Sequence, residues 1–262
     1  MREAARAVIE LRQLRKGFAG RPVLEGLDLR IQRGETFTIL GGSGSGKSVC
    51  LKHMIGLLRA DGGEVHVLGQ EVTRLSEQDW VPVRRRFGMV FQGAALFDSL
   101  SVLENVAWPL REHERWEEER VRARVRECLA AVGLEGVEAL LPAELSGGMK
   151  KRVGVARAIA LSPEVILYDE PTTGLDPANS RRVGRLIRHL QEQLQVTSVV
   201  VTHDMDLCFS VSDRVALLRD GRIVLEGAAE EIRSTEPPEL RRFLEGEPAA
   251  APIRPSGLEG RS

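Results

Sequence analysis

The residues best suited to chemistry form a glycine-rich segment, residues 41–48, which reads GGSGSGKS. This segment matches G-x-x-x-x-G-K-[ST] without a mismatch and lies between a predicted strand and a predicted helix, the context the pattern requires. A flexible glycine-serine linker is the alternative, but a linker has no reason to place a lysine at a strand-helix junction. We therefore predict a phosphate-binding loop, in which backbone N–H groups and the helix N-terminus face phosphate oxygens. Within it, Lys47 is expected to reach the β- and γ-phosphates and Ser48 to bind Mg²⁺. The members of the loop are Gly41, Gly42, Ser43, Gly44, Ser45, Gly46, Lys47 and Ser48.

Two further motifs carry polar groups at the ends of apolar runs. Asp169 and Glu170 end the run VILYDE, and we expect Asp169 to hold Mg²⁺ and Glu170 to act as general base on the attacking water. An isolated pair of this kind could equally cap a helix. The segment LSGGM begins at Leu145, and Ser146 with the amides of the two following glycines forms an anion site at a helix start, unless it is only a cap followed by a turn.

Composition restricts what kind of protein can carry these motifs. The chain has 262 residues, of which 42% are hydrophobic and 29% charged, which excludes collagen, a coiled coil and wholesale disorder. Lysine and arginine (37) nearly balance aspartate and glutamate (38), so we expect no nucleic-acid partner. The three widely spaced cysteines favour a reducing compartment. Without an apolar run of about eighteen residues or a signal-like N-terminus, the chain is expected to be cytoplasmic.

The elements that must position the motifs follow from the apolar patterns. Strands are predicted at VIELRQL, PVLEGLDLRI, TFTIL, EVHVLG and FGMVFQ, and a helix runs past Leu57 to a glycine turn at residues 61–63. Residues 93–161 are mainly helical, with one amphipathic helix at Glu117 to Val132. The continuous runs VILYDE and SVVVTHD, separated by a helix at Ser180 to Gln195, predict parallel strands in a βαβ unit. The sequence DG within ALLRDGRIVLEG predicts a hairpin.

In their order along the chain, the three motifs resemble those of ABC ATPases: GGSGSGKS comes first, LSGGM second and VILYDE third. The resemblance implies an α/β P-loop NTPase fold with a mainly parallel core sheet, an antiparallel β subdomain and a helical subdomain at about 93–161. The ATPase domain is expected over 8–228, a C-terminal helical extension over 229–246, and a disordered tail over 247–262. A P-loop kinase or GTPase would lack LSGG, and ABC proteins of translation or repair carry two domains or a coiled-coil insertion.

The resemblance also assigns roles, with ATP and Mg²⁺ as cofactors. Phe18 corresponds to the aromatic residue that stacks on adenine, although a core phenylalanine is the alternative. Gln92 corresponds to the glutamine that contacts Mg²⁺ and water, and His203 to the histidine that contacts the γ-phosphate. The segment LSGGM corresponds to the signature motif of the family. Its residues Ser146, Gly147 and Gly148 are expected to bind nucleotide together with Asp176. A binding module without catalysis would have lost Glu170 or His203.

The family's mode of action implies partners. Its ATPase domains pair head to tail, so a chain with one phosphate loop and one signature is expected to form a homodimer beneath a membrane permease. Segments such as VFQGAALFDSLSVLENVAWPL and LSGGMKKRVGVARAIALSPEVILYDEPTTGLDP closely resemble the ATPases of Mla/Mce-type lipid transporters. These work at the cytoplasmic face of the inner membrane, moving lipids between bacterial envelope membranes with an MlaE-like permease and an MCE substrate-binding protein. The alternative is an ABC importer of a small molecule.

Two segments are candidates for contacts with partners. The apolar residues after Gln92 are predicted to meet the permease, unless they are core; they are Ala94, Ala95, Leu96, Phe97, Leu100 and Val102. Near the C-terminus, Leu240, Phe243 and Leu244 follow helical spacing. A helix this short must dock on something, either its own domain or the partner ATPase subunit.

Overall fold

The computed structural model describes residues 7–246, and within that range the chain forms two sheets flanked by helices. The strands are β1 (Ala7–Phe18), β2 (Arg21–Gln32), β3 (Thr36–Leu40), β4 (Gly62–Val67), β5 (Gln70–Glu71), β6 (Phe87–Val90), β7 (Val165–Asp169), β8 (Thr197–Thr202), β9 (Arg214–Arg219) and β10 (Arg222–Ala228). The helices are α1 (Lys47–Met54), α2 (Glu77–Arg84), α3 (Val102–His113), α4 (Glu118–Ala131), α5 (Gly147–Ile159), α6 (Pro177–Leu194), α7 (Met205–Val211), α8 (Ala229–Thr235) and α9 (Pro238–Leu244), with a short 3₁₀ helix at Pro142–Glu144.

The six-stranded sheet has the order β10-β9-β3-β8-β7-β6, and only β10 runs antiparallel to its neighbour. Its strands β3, β7 and β8 are buried along their whole length, as the continuous apolar runs predicted. Because these strands are parallel, their carboxyl ends meet at one edge of the sheet. The loops after β3, β6, β7 and β8 therefore emerge side by side at that edge.

The four-stranded sheet has the order β2-β1-β4-β5 and is antiparallel. The helices α3, α4 and α5 lie between β6 and β7 in the chain. The predicted fold class, a mainly parallel core sheet with an antiparallel β subdomain and a helical subdomain, is therefore confirmed. The predicted hairpin at Asp220 and Gly221 is also confirmed, since both residues have positive φ and join antiparallel strands β9 and β10.

Several predicted boundaries are wrong, among them the start of the helix predicted from Ser180, which begins at Pro177. Helix α1 ends at Met54 rather than past Leu57, because Gly56 has φ +66° and lies directly under the indole of Trp80. A Cβ at Gly56 would lie 2.1 Å from that ring, so only glycine fits. Strand β6 ends at Val90, two residues before Gln92, where its pairing with β7 stops.

The C-terminal helices pack on the chain's own domain. Leu240 of α9 is 2% exposed and lies in a cluster with Cys208 of α7 and Ile232 of α8, with Phe243 packed against it. Leu244 is 55% exposed. The predicted tail at 247–262 lies outside the described residues. No helix within residues 7–246 combines the length and the apolar character needed to cross a bilayer.

Candidate functional site

The loop between β3 and α1 wraps around one lysine. Gly44 and Gly46 have φ +78° and +103°, and a Cβ at Gly46 would lie 2.9 Å from the side chain of Leu24. The ammonium of Lys47 is buried, and it donates hydrogen bonds of 2.8 Å to the carbonyl oxygen of Gly41 and 2.9 Å to that of Gly42. Helix α1 begins at Lys47, so its unpaired N–H groups face the same space. This geometry suits an anion of several charges.

A pair of oxygen atoms lies beside this loop. The hydroxyl of Ser48 donates a 2.8 Å hydrogen bond to Oδ1 of Asp169, which ends β7. Mg²⁺ prefers oxygen ligands and is commonly held by one or two protein groups together with substrate phosphates. Nearby, Oγ of Ser45 is buried without a hydrogen-bond partner among the described residues. The residues present therefore fit a magnesium-nucleotide site.

Glu170 occupies the centre of the site in a strained conformation. Its φ is +48°, in the left-handed region that glutamate disfavours, and its side chain is buried. Oε1 lies 3.3 Å from the ammonium of Lys47, while Oε2 lies 2.9 Å from Nδ1 of His203. Strain of this kind persists where surrounding contacts hold it, which is common in active sites. The carboxylate therefore has a fixed orientation between two side chains that the sequence placed in the same site.

His203 follows the carboxyl end of β8 and is the exposed member of this group. Its side chain is 57% exposed, whereas that of Glu170 is 11% exposed. The backbone N–H of Glu170 donates to the carbonyl oxygen of Val201, which fixes the β7 loop against β8. The imidazole is thus held at one ring nitrogen and open to solvent elsewhere.

Phe18 lies at the end of β1, beside the turn formed by Ala19 and Gly20. Phe18 is 45% exposed, so the alternative of a core phenylalanine is wrong. The ammonium of Lys16 lies 5.4 Å from the centre of the ring. An exposed aromatic ring next to the two positive-φ turn residues is available for stacking on a flat ligand.

The signature segment forms the N-terminus of α5. Ser146 is the N-cap, and its hydroxyl accepts a hydrogen bond from the backbone N–H of Met149 at 3.3 Å. A Cβ at Gly148 would lie 3.2 Å from Oδ1 of Asn179, so glycine allows α5 to approach α6 closely. Ser146 and Gly147 are exposed, which leaves this helix start open to another molecule.

Asp176 caps the N-terminus of α6 on the other side of Asn179. Its carboxylate accepts hydrogen bonds of 2.9 Å from the backbone N–H groups of Ala178 and Asn179. The bonds from the backbone and side chain of Asn179 lower the pKa of Asp176. Within the described residues, Asp176 acts on its own helix, while Asn179 joins it to the signature helix.

Sequence reasoning did not assign Lys151 to the site, although this residue lies in LSGGMKKRVGVARAIALSPEVILYDEPTTGLDP, one of the segments that carry the family resemblance. Its ammonium donates a hydrogen bond to the carbonyl oxygen of Gln92, whose side chain is exposed. Burial lowers the pKa of Lys151, and the carboxylates of Glu170 and Asp169 oppose that shift. Lys151 therefore lies within the electrostatic reach of these two carboxylates.

An apolar groove adjoins the loop after β6. It has a volume of about 510 Å³, and the exposed rings of Phe97 and Trp108 lie along it with centres 4.9 Å apart. The predicted partner contact is wrong for Ala94 and Val102, which are buried. The sequence could not separate these residues, because all positions of the run are apolar whether they are buried or exposed. Ala95 and Phe97 do line the groove.

Comparison with known proteins agrees with this site. Residues 24–173 match the ABC transporter family. The chain is 40% identical to the intermembrane phospholipid transport system ATP-binding protein MlaF of Haemophilus influenzae, over 94% of this chain and 93% of that protein. It is 39% identical to the methionine import ATP-binding protein MetN of Mesorhizobium japonicum, over 99% of this chain and 70% of that protein. A dimeric ATP-binding cassette, MJ0796, bound to ADP and Pi, is similar with a TM-score of 0.78 and 34% identity, covering 84% of this chain and 98% of that one.

Proposed function

We propose that this chain, which belongs to the ABC transporter family, powers lipid transport between the membranes of a bacterial envelope. It is an ABC ATPase, and its cofactors are ATP and Mg²⁺. The proposal of a lipid substrate rests on the match to MlaF, which extends over 93% of that protein. The match to MetN covers 70% of that protein. The proposed substrate is a phospholipid or another lipid, and it does not touch this subunit.

We propose a task for each group of the nucleotide site. Lys47 and the backbone of the glycine loop bind the β- and γ-phosphates, and Phe18 stacks on adenine. Ser48 and Asp169 hold Mg²⁺ together with Gln92. When bound, Mg²⁺ neutralises charge on the phosphate oxygens.

Glu170 and His203 carry the hydrolytic step. Water attacks the γ-phosphorus, the bond to the bridging oxygen breaks, and Glu170 takes the proton that the water loses. The 2.9 Å contact from His203 to Oε2 holds the carboxylate in place, and the imidazole is 57% exposed. In this proposal the exposed part of the imidazole contacts the γ-phosphate. Lys47 lies on the other side of the same carboxylate and stabilises its charge.

The signature of this chain serves the site of a second copy. Ser146 and Gly147 are exposed at the N-terminus of α5, whereas Gly148 is buried against Asn179, whose side chain donates a hydrogen bond to Asp176. A single chain has one phosphate loop and one signature, so a head-to-tail homodimer supplies two composite sites. The dimeric cassette with 34% identity supports this arrangement.

The membrane partner is an MlaE-type permease with an MCE-type substrate-binding protein, and the subunit lies at the cytoplasmic face of the inner membrane. The groove beside Phe97 and Trp108 is apolar and contiguous with the loop that carries Gln92. A cytoplasmic helix of the permease docked there would follow the nucleotide state of the ATPase.

Purification of the affinity-tagged chain from membranes of its source organism tests the proposed transporter. We expect an MlaE-type permease and an MCE-type protein to co-purify in amounts comparable to the chain, and phospholipid to stimulate ATP hydrolysis by the complex. Phe97→Asp, which places charge in the groove, should release the permease, while Asp98→Asn on the same loop should not. Recovery of an amino-acid permease without an MCE protein would favour the importer alternative.

A further inference from the structure

Lys151 connects the signature helix to the loop that carries Gln92. It lies on α5, five positions after Ser146, and its ammonium donates to the main-chain carbonyl oxygen of Gln92. The residue is only 7% exposed. A buried ammonium is costly unless it is hydrogen-bonded, so the contact restrains the lysine and the loop together.

The same face of α5 holds the loop at a second point, two turns along the helix. Arg157 donates hydrogen bonds of 2.8 Å to the carbonyl oxygen of Ala94 and 2.7 Å to that of Ala95. Ala94 and Ala95 have φ +61° and +48°, a conformation that alanine disfavours. Between the two contacts, a Cβ at Gly154 would already lie 3.4 Å from Ala94, so the helix and loop are in close contact.

Positions 151, 154 and 157 are three apart, which places them on one side of a helix. A hydrogen-bonded helix of 13 residues moves as one body, so a displacement at its start reaches these positions. In the proposed dimer, Ser146 at that start meets the partner's ATP, whereas Gln92 meets the chain's own. Lys151 is therefore the link between groups that serve two different sites.

We infer that Lys151 is a positioning residue that ties Gln92 at one ATP site to the signature serine at the other. This inference rests on the proposed head-to-tail dimer. Closure of the signature on ATP at one site moves α5, and Lys151 carries Gln92 with it toward the nucleotide of the second site. The coupling is a property of this chain's own hydrogen bonds and requires no contact between Lys151 and nucleotide.

The test compares Lys151→Met with Lys150→Met, which removes the same charge from the neighbouring position. Within residues 7–246, the Lys150 side chain makes no hydrogen bond or ion pair. Each is introduced into a Glu170→Gln chain, and ATP-driven dimerisation is followed by sedimentation velocity. We expect Lys151→Met to weaken dimerisation about tenfold, with monomer ATP binding unchanged, while Lys150→Met has no effect.

Turnover is measured for the same substitutions in the chain that retains Glu170. Lys151→Met should lower kcat about tenfold with the KM for ATP nearly unchanged, and Lys151→Arg, which keeps a charged donor, should restore most of it. Dimerisation and kcat of Lys151→Met equal to those of Lys150→Met would overturn the inference. So would a parallel loss of melting temperature and ATP binding that Lys151→Arg does not restore. Failure of the Glu170→Gln parent to dimerise would instead overturn the shared site and this inference with it.

Discussion

At the scale of single residues, the proposed hydrolysis depends most on the orientation of Glu170. Its backbone is held at φ +48° and its two carboxylate oxygens are occupied by different partners, Lys47 and His203. A carboxylate that is buried and fixed in this way loses little orientational freedom when water approaches. Its neighbour Asp169 accepts a hydrogen bond from Ser48 instead, so the adjacent carboxylates have different partners, in keeping with the separate tasks proposed for them.

Glu170→Gln tests this division. Glutamine keeps the size of the side chain and faces the same backbone strain, but it cannot take a proton from water. We expect turnover to fall on the order of 10² to 10⁴-fold, or about 3–5 kcal/mol of barrier, while ATP binding is retained. Single-turnover hydrolysis and equilibrium ATP binding are the measurements. Lys47→Ala is the contrasting variant, since it should lose binding itself. Turnover above about a tenth of that of the unaltered chain would remove Glu170 from the role of base.

At the scale of the elements, the C-terminal helix α9 shows how a short helix becomes stable. Seven residues are too few for a helix to persist in water, so α9 depends on the contacts of its apolar side. Leu240 supplies the main contact by entering the cluster with Cys208 and Ile232. Docking on its own domain, one of the two alternatives left open by the sequence, is therefore the observed arrangement.

Leu240→Ala should destabilise the isolated subunit by about 2–4 kcal/mol, because it leaves a cavity in that cluster. Leu244→Ala is a matched control on the same helix, and it should change the free energy of unfolding by less than about 0.5 kcal/mol since Leu244 is 55% exposed. Urea unfolding of the two variants measures the difference. Equal effects of the two substitutions would mean that α9 does not depend on Leu240 for its docking.

At the scale of the whole molecule, the two parts proposed to bind nucleotide lie in different regions of the chain. The phosphate loop and Glu170 lie at the carboxyl edge of the large sheet, and Ser146 begins a helix of the helical region. In the proposed dimer, each nucleotide is enclosed by the phosphate loop of one chain and Ser146 of the other. Hydrolysis by the isolated subunit should therefore depend on the encounter of two chains.

ATPase activity of dilute subunit should rise more than linearly with protein concentration, as monomers combine into dimers. Ser146→Arg and Lys47→Ala should each abolish activity as homodimers. In a mixture, one composite site of the heterodimer carries both substitutions and the other carries neither, so activity should partly return. Linear activity through the dissociation range, or an active Ser146→Arg homodimer, would contradict the shared site.

The sequence by itself determined the parts of this protein that depend on local backbone and on apolar pattern. The phosphate loop could be predicted from eight consecutive residues because the function proposed for it depends on its own N–H groups and one lysine. Continuous apolar runs identified β3, β7 and β8, since strands covered on both faces have few polar positions. The order of the motifs then gave the family.

Only the tertiary structure decided the contacts between residues that are distant along the chain. The end of α1 depends on Trp80, which lies over Gly56. The hydrogen bond from Lys151 to Gln92 joins helix α5 to the loop after β6, which is distant from it along the chain. Whether Ala94 faces a partner or the core was likewise settled by the approach of α5. A local pattern records whether a side chain is apolar or charged, but its neighbour in space is fixed only when the chain has folded, which is the physical reason why these features could not be predicted.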